Sequence, residues 1–126
     1  MAMRLTKTTI HLKEIRLYGR HGISEKEQRV GNHFVIRLSM TIPCPKTGFA
    51  EDELDNTINY AEAYTIIYKT FQQTSKTLEN LASRMLSQLF EAFPLLEEAE
   101  IEIEKLRPPF PADCQAASVR LTARRD

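Results

Sequence analysis

The sequence has no excess of either charge: seventeen basic residues balance seventeen acidic ones. That balance excludes the basic footprint expected of a nucleic-acid binder or of a protein that adheres to an anionic membrane. No apolar run approaches the roughly 20 residues that span a bilayer. The start, Met1-Ala2-Met3-Arg4-Leu5-Thr6, carries a positive charge with no apolar stretch behind it, so no signal peptide is expected. Cysteine is scarce. Cys44 and Cys114 are the only two, and they read as reduced, unpaired thiols in a cytoplasmic protein.

Motifs for metals and phosphates are missing as well. The histidines His11, His21 and His33 show neither H-x-H nor H-E-x-x-H spacing, and there is no C-x-x-C, so no zinc site is expected. The glycine patterns of phosphate loops, dinucleotide-binding turns and serine-hydrolase elbows do not occur. There is no internal repeat and no low-complexity linker. The 126 residues suit one domain, and a hydrophobic content of 42% is enough to bury a core.

What is present is patterned. Apolar residues fall at Ile10 and Leu12, then at Ile15 and Leu17, and the odd step between Leu12 and Ile15 predicts a bulge within a first strand. Tyr18-Gly19-Arg20-His21-Gly22 breaks that strand, and the polar stretch Ser24–Arg29, closed by Gly31, reads as a connection. Phe34, Ile36, Leu38, Met40 and Ile42 alternate with period two until Pro43. Helices are predicted over about 61–73 and 78–93, the second with Leu78, Leu81, Ala82, Met85, Leu89 and Phe93 on one stripe, Thr77 as N-cap and Pro94 as stop. Two alternating strands follow, Glu100–Lys105 and Ala117–Ala123, and the basic end, residues 123–126, reads as a solvated tail. The order strand, strand, helix, helix, strand, strand predicts an α+β layer, an antiparallel four-stranded sheet with both helices on one face. Its long edge strands predict self-association.

One residue breaks the strand pattern in a chemically useful way. Parity puts Lys105 on the apolar face shared by Ile101 and Ile103, while Glu100, Glu102 and Glu104 point away. A lysine at the rim of an apolar face loses water, and desolvation brings an ammonium toward proton-transfer range; the same residue can also end the strand and snorkel to solvent. Glu79, in the first turn of the second predicted helix, suits either the helix dipole or a cationic, amidine-like ligand group. Glu27 and Tyr60 are uninformative by themselves.

Five stretches in order resemble the dihydroneopterin aldolase family: Tyr18-Gly19-Arg20-His21-Gly22; Glu25-Lys26-Glu27-Gln28-Arg29-Val30-Gly31; Asp55-Asn56-Thr57-Ile58-Asn59-Tyr60-Ala61-Glu62; Leu78-Glu79-Asn80-Leu81-Ala82; and Lys105-Leu106-Arg107-Pro108-Pro109. The likeness in order and spacing runs from about Thr9 to Ala123, nearly the whole chain. The resemblance implies a T-fold subunit that assembles into ring-shaped homotetramers or stacked homo-octamers, with sites between neighbouring subunits. It implies a small-molecule pterin substrate, 7,8-dihydroneopterin, cleaved by retro-aldol chemistry in folate biosynthesis with no cofactor, no metal and no Schiff base. Carried over residue by residue, Glu79 and the backbone of Leu78 hold the pterin ring, and Lys105 carries a proton through an ordered water that Glu27 orients. Tyr60, from the neighbouring subunit with Ile58 and Asn59 beside it, serves proton transfer on the side chain. Two departures stand out. Arg20 occupies a position that is aromatic in many relatives, and Ala112-Asp113-Cys114 replaces a familiar glycine after Pro111. The resemblance leaves two other functions open, a dihydroneopterin-triphosphate epimerase of the same fold and a non-catalytic T-fold module that binds a pterin or purine.

Overall fold

The computed structural model describes residues 3–126. Its frame is an antiparallel sheet in the order β1-β2-β3-β4, built from β1 (Thr8–Gly19), β2 (Asn32–Ile42), β3 (Glu98–Leu106) and β4 (Ala116–Arg124). Period-two alternation buries Phe34, Ile36, Leu38, Met40 and Ile42 of β2 against Ala99, Ile101 and Ile103 of β3. The expected bulge is present. Leu12 pairs with Leu38 and Ile15 with Ile36, so three steps along β1 match two along β2. The extra residue brings Ile10, Leu12, Ile15 and Leu17 onto one face, and Glu14 takes a left-handed φ of 52°. Glu14 then reaches Arg16 at 2.8 Å and Arg37 at 3.2 Å on the opposite, polar face.

Two helices cover the apolar face, α2 (Tyr60–Phe71) and α3 (Leu78–Ala92), within two residues of the predicted ends. Asn59 caps α2 by accepting from the Ala61 amide, and Thr77 caps α3 by accepting from the Asn80 amide. Their stripes Ala63, Ile67, Phe71 and Leu81, Ala82, Met85, Leu89 join the strands in one core cluster.

Two expectations are corrected. The stretch Ser24–Arg29 is not a plain connection: Glu25–Val30 form a short helix, α1, so the described residues hold three α-helices rather than two. A capping box starts it, with the Glu27 amide donating to the Ser24 hydroxyl and the Ser24 amide to the Glu27 carboxylate. Nor is the basic end wholly solvated. The Arg125 guanidinium donates to the carbonyls of Phe90, Phe93 and Leu96, each at 2.9 Å, and so satisfies the Phe90 acceptor freed in the last turn of α3 and braces the turn that follows. Cys44 and Cys114 are unpaired, and among the described residues no helix is long and apolar enough to cross a membrane.

Candidate active site

Lys105 sits where parity predicts, opposite Phe34 across the β2–β3 ladder and on the core side of β3. Only 8% of it is exposed. Its ammonium stands 5.7 Å from the centroid of the Phe34 ring and donates to Glu27 Oε2 at 2.7 Å. The other oxygen of that carboxylate, Oε1, accepts from the Ser24 amide at 3.2 Å and the Ser24 hydroxyl at 3.1 Å. The capping box thus aims Glu27 as well as starting α1, and the partnership joins residues 78 positions apart. Burial pushes the Glu27 carboxyl up, but the Lys105 ammonium and the Ser24 bonds outweigh it and hold the group below the usual carboxylate range. Glu27 is therefore an ionised acceptor at neutral pH.

A cavity of about 660 Å³ opens beside Glu27, lined also by His21, Asn32, Arg107 and the proline-rich residues 108–111. Asn32, at the start of β2, donates from Nδ2 at 2.6 Å to the Leu106 carbonyl at the end of β3. Glu27 is the one carboxylate in the lining, and Lys26 and Arg107 supply cations. Arg20 is not among the lining residues; it donates to the Arg29 carbonyl at 2.9 Å.

Gly22 is needed beneath the carboxylate. A Cβ on it would lie 2.6 Å from Glu27 Cβ, 2.7 Å from Cδ and 2.8 Å from Oε2. Rotation can carry Cδ and Oε2 away but not Cβ, which the backbone fixes, so Gly22→Ala is expected to displace α1 as well as swing Glu27 off Lys105. The expected loss in kcat is about 10- to 100-fold, with a lowered melting temperature; kinetics and a melting curve on the same preparation check both.

His21 is 2% exposed and makes two bonds to backbone. Its Nδ1 accepts from the Ser75 amide at 3.0 Å, and its Nε2 faces the Phe71 carbonyl at 2.9 Å. An amide N–H on one nitrogen and a carbonyl on the other define the neutral tautomer with the proton on Nε2. Burial pushes its pKa down to about 4. The sequence pattern singled out neither this arrangement nor Ser75. His11 instead bonds Ser39 at 2.8 Å, and His33 packs edge-on against Tyr18, so the three histidines share no site.

The remaining predicted residues stand apart from the Glu27 cavity within one chain. Ile58 is buried in the core and, with Asn59, lines a different cavity beside Phe93–Leu95. Tyr60 opens α2 with 62% of its surface exposed. Leu78, half-buried, and Glu79, exposed, open α3.

The chain is similar along most of its length to known proteins. The family model described as dihydroneopterin aldolase (FolB) matches residues 10–122. A dihydroneopterin aldolase of Bacillus subtilis is 26% identical over 117 residues, which are 92% of this chain and 97% of that one. The structure of E. coli dihydroneopterin aldolase in complex with neopterin is similar with a TM-score of 0.81 at 14% identity, over 92% of this chain and 98% of that one. A Burkholderia dihydroneopterin aldolase bound to guanine gives a TM-score of 0.72 at 18% identity, over 95% and 93% of the two chains. At those identities the two structures establish a shared fold.

Proposed function

The chain belongs to the dihydroneopterin aldolase family, and from that premise we propose that its Lys105–Glu27 pair moves the protons in a retro-aldol cleavage of 7,8-dihydroneopterin. The products are 6-hydroxymethyl-7,8-dihydropterin and glycolaldehyde, which makes the protein an aldehyde-lyase of folate biosynthesis. The observation that carries the assignment to these residues is the position of Lys105, a cation on an apolar strand face, 2.7 Å from a carboxylate whose other oxygen is already held.

The substrate itself supplies the electron sink. Removing the proton from the second hydroxyl of the side chain lets the bond between the first two side-chain carbons break. Its electron pair moves into the C6=N5 imine, which takes a proton at N5 as glycolaldehyde leaves. Returning a proton to the first carbon and releasing the one on N5 restores the imine. Apart from the carbon–carbon scission itself, each step is a proton transfer, the work of Lys105 and of an ordered water held by Glu27. Glu79 anchors the 2-amino and N3 edge of the ring, with the Leu78 backbone beside it. Neopterin and guanine, the ligands of the two related structures, share that edge.

Tyr60 and Ile58 complete the site from a neighbouring subunit in a ring-shaped homotetramer or homo-octamer. The exposure of Tyr60 and the free edges of β1 and β4 support that arrangement. The whole chain acts as one domain of this family in the cytoplasm. A second reading has one observation in its favour: Lys26 and Arg107 line the cavity, as suits an epimerase that accepts the triphosphate and rejoins the fragments.

Product analysis with purified protein, 7,8-dihydroneopterin and EDTA tests the proposal. Equal amounts of glycolaldehyde and 6-hydroxymethyl-7,8-dihydropterin are expected. An epimer alone, with the triphosphate turned over faster, would favour the second reading. No reaction of either substrate with folded, assembled protein would leave a binding module.

A further inference from the structure

The turn that leads into α1, which carries Glu27, and the turn that leads into α3 meet at Ser75, which is 3% exposed. Ser75 uses every polar group it has. Its amide donates to His21 Nδ1 at 3.0 Å, its carbonyl accepts from the Gly22 amide at 3.0 Å, and its hydroxyl donates to Asn80 Oδ1 at 2.7 Å. Arg84 reinforces the junction, reaching the Ser75 hydroxyl and the carbonyls of Thr70 at 3.1 Å and Gln73 at 2.7 Å. From the other side, Gln28 of α1 donates to the Gly22 carbonyl at 2.8 Å. A continuous set of bonds therefore runs from α1, through Gly22 and His21, to Ser75 and on to Asn80. Asn80 directly follows Glu79 in the first turn of α3.

His21 is the ring at the centre of this set. It packs edge-on against Phe34 and Phe71, with centroids 5.4 Å and 4.5 Å away, and Phe34 is the ring over which the Lys105 ammonium stands. Its Nε2–H also satisfies the Phe71 carbonyl, an acceptor left open at the end of α2. A phenyl group would fill the same space but leave Ser75 N–H and Phe71 C=O without their partner.

We propose that His21 is a positioning residue for the cleavage: by clamping Ser75 it sets the register between the Glu27–Lys105 pair and the first turn of α3, so that it governs kcat rather than pterin affinity. The proposal rests on the reading in which Glu79 anchors the ring and Lys105 carries the proton. Misregister of about 1 Å between anchored ring and proton carrier is enough to cost on the order of 100-fold in rate, while a ring held by Glu79 alone still binds.

The test compares wild type, His21→Phe and His21→Asn for kcat on 7,8-dihydroneopterin and for Kd of 6-hydroxymethyl-7,8-dihydropterin, with melting curves to establish folding. His21→Phe is expected to lower kcat by about 10- to 100-fold while Kd moves less than about threefold. His21→Asn, whose Oδ1 takes the place of Nδ1 as acceptor for Ser75 N–H, is expected to recover part of that loss. A folded His21→Phe whose kcat stays within about twofold of wild type, or loses kcat and affinity by the same factor, overturns the proposal, as does His21→Asn performing no better than His21→Phe. Should His21→Phe not fold, Ser75→Ala reads the same split. It keeps both backbone bonds but cuts the link to Asn80 and Arg84, so a severalfold fall in kcat at constant Kd is expected and an unchanged kcat overturns the proposal. A wild-type protein that binds the pterin but cleaves no dihydroneopterin would instead bring down the underlying reading, and this one with it.

Discussion

Replacing Lys105 with methionine is expected to lower kcat by about 10²- to 10⁴-fold, the usual worth of a positioned proton carrier, while affinity for the product pterin changes little. Methionine matches the length of the side chain and suits the apolar face it shares with Ile101 and Ile103, so the fold should survive. The substitution also acts on Glu27. The ammonium is the main influence that lowers that carboxyl against the upward push of burial, and without it the carboxyl titrates at higher pH. The acid limb of the residual activity is therefore expected to move upward. Steady-state kinetics across pH, with a fluorescence titration of the product, check both effects. A kcat within tenfold of wild type would remove Lys105 from the chemistry.

Acid is expected to weaken the fold through His21. Burial holds the folded-state pKa at about 4, with Arg84 and Lys105 adding to the downward push and the Phe71 carbonyl opposing it, against 6.5 for a free imidazole. Between those values the unfolded chain binds a proton that the folded chain refuses, so stability rises with pH and falls on acidification. The loss begins near pH 6.5, proceeds at up to about 1.4 kcal/mol per pH unit and ends near the folded pKa. Glu27 has the depressed pKa of a paired carboxylate. Its contribution is present above the ordinary carboxylate pKa and disappears as pH falls through the lowered folded value, so it follows at lower pH. From pH 7 to pH 5 the His21 share is roughly 2 kcal/mol. Urea unfolding at both pH values and one fixed protein concentration measures it, and His21→Phe should reduce the pH dependence by about that amount. An equal dependence in the two proteins would assign the acid sensitivity elsewhere.

Much of the frame was legible in the residues themselves because the sheet buries one face. Alternation in β2, β3 and β4 reports that face directly, and the irregular spacing between Leu12 and Ile15 locates the bulge. The same parity singled out Lys105. Its partner was not legible, since nothing local ties Glu27 to a strand 78 residues away. The helix carrying Glu27 was missed for a different reason. Six largely polar residues show no apolar stripe, although Ser24 and Glu27 stand at capping-box spacing, a signal available in the sequence. His21 and Arg125 depend on backbone groups of Phe71, Ser75, Phe90, Phe93 and Leu96. Tertiary packing brings those groups to them, and no periodicity reports it.

The most direct measurement is a double-mutant cycle in kcat across the ion pair, with wild type, Glu27→Gln, Lys105→Met and the double variant assayed on 7,8-dihydroneopterin. If the two side chains act as one proton-transfer unit, the double variant should be about as slow as the slower single one, because the first substitution already disables the pair. If the two losses multiply, Glu27 and Lys105 act independently, and the pair is not the catalytic unit.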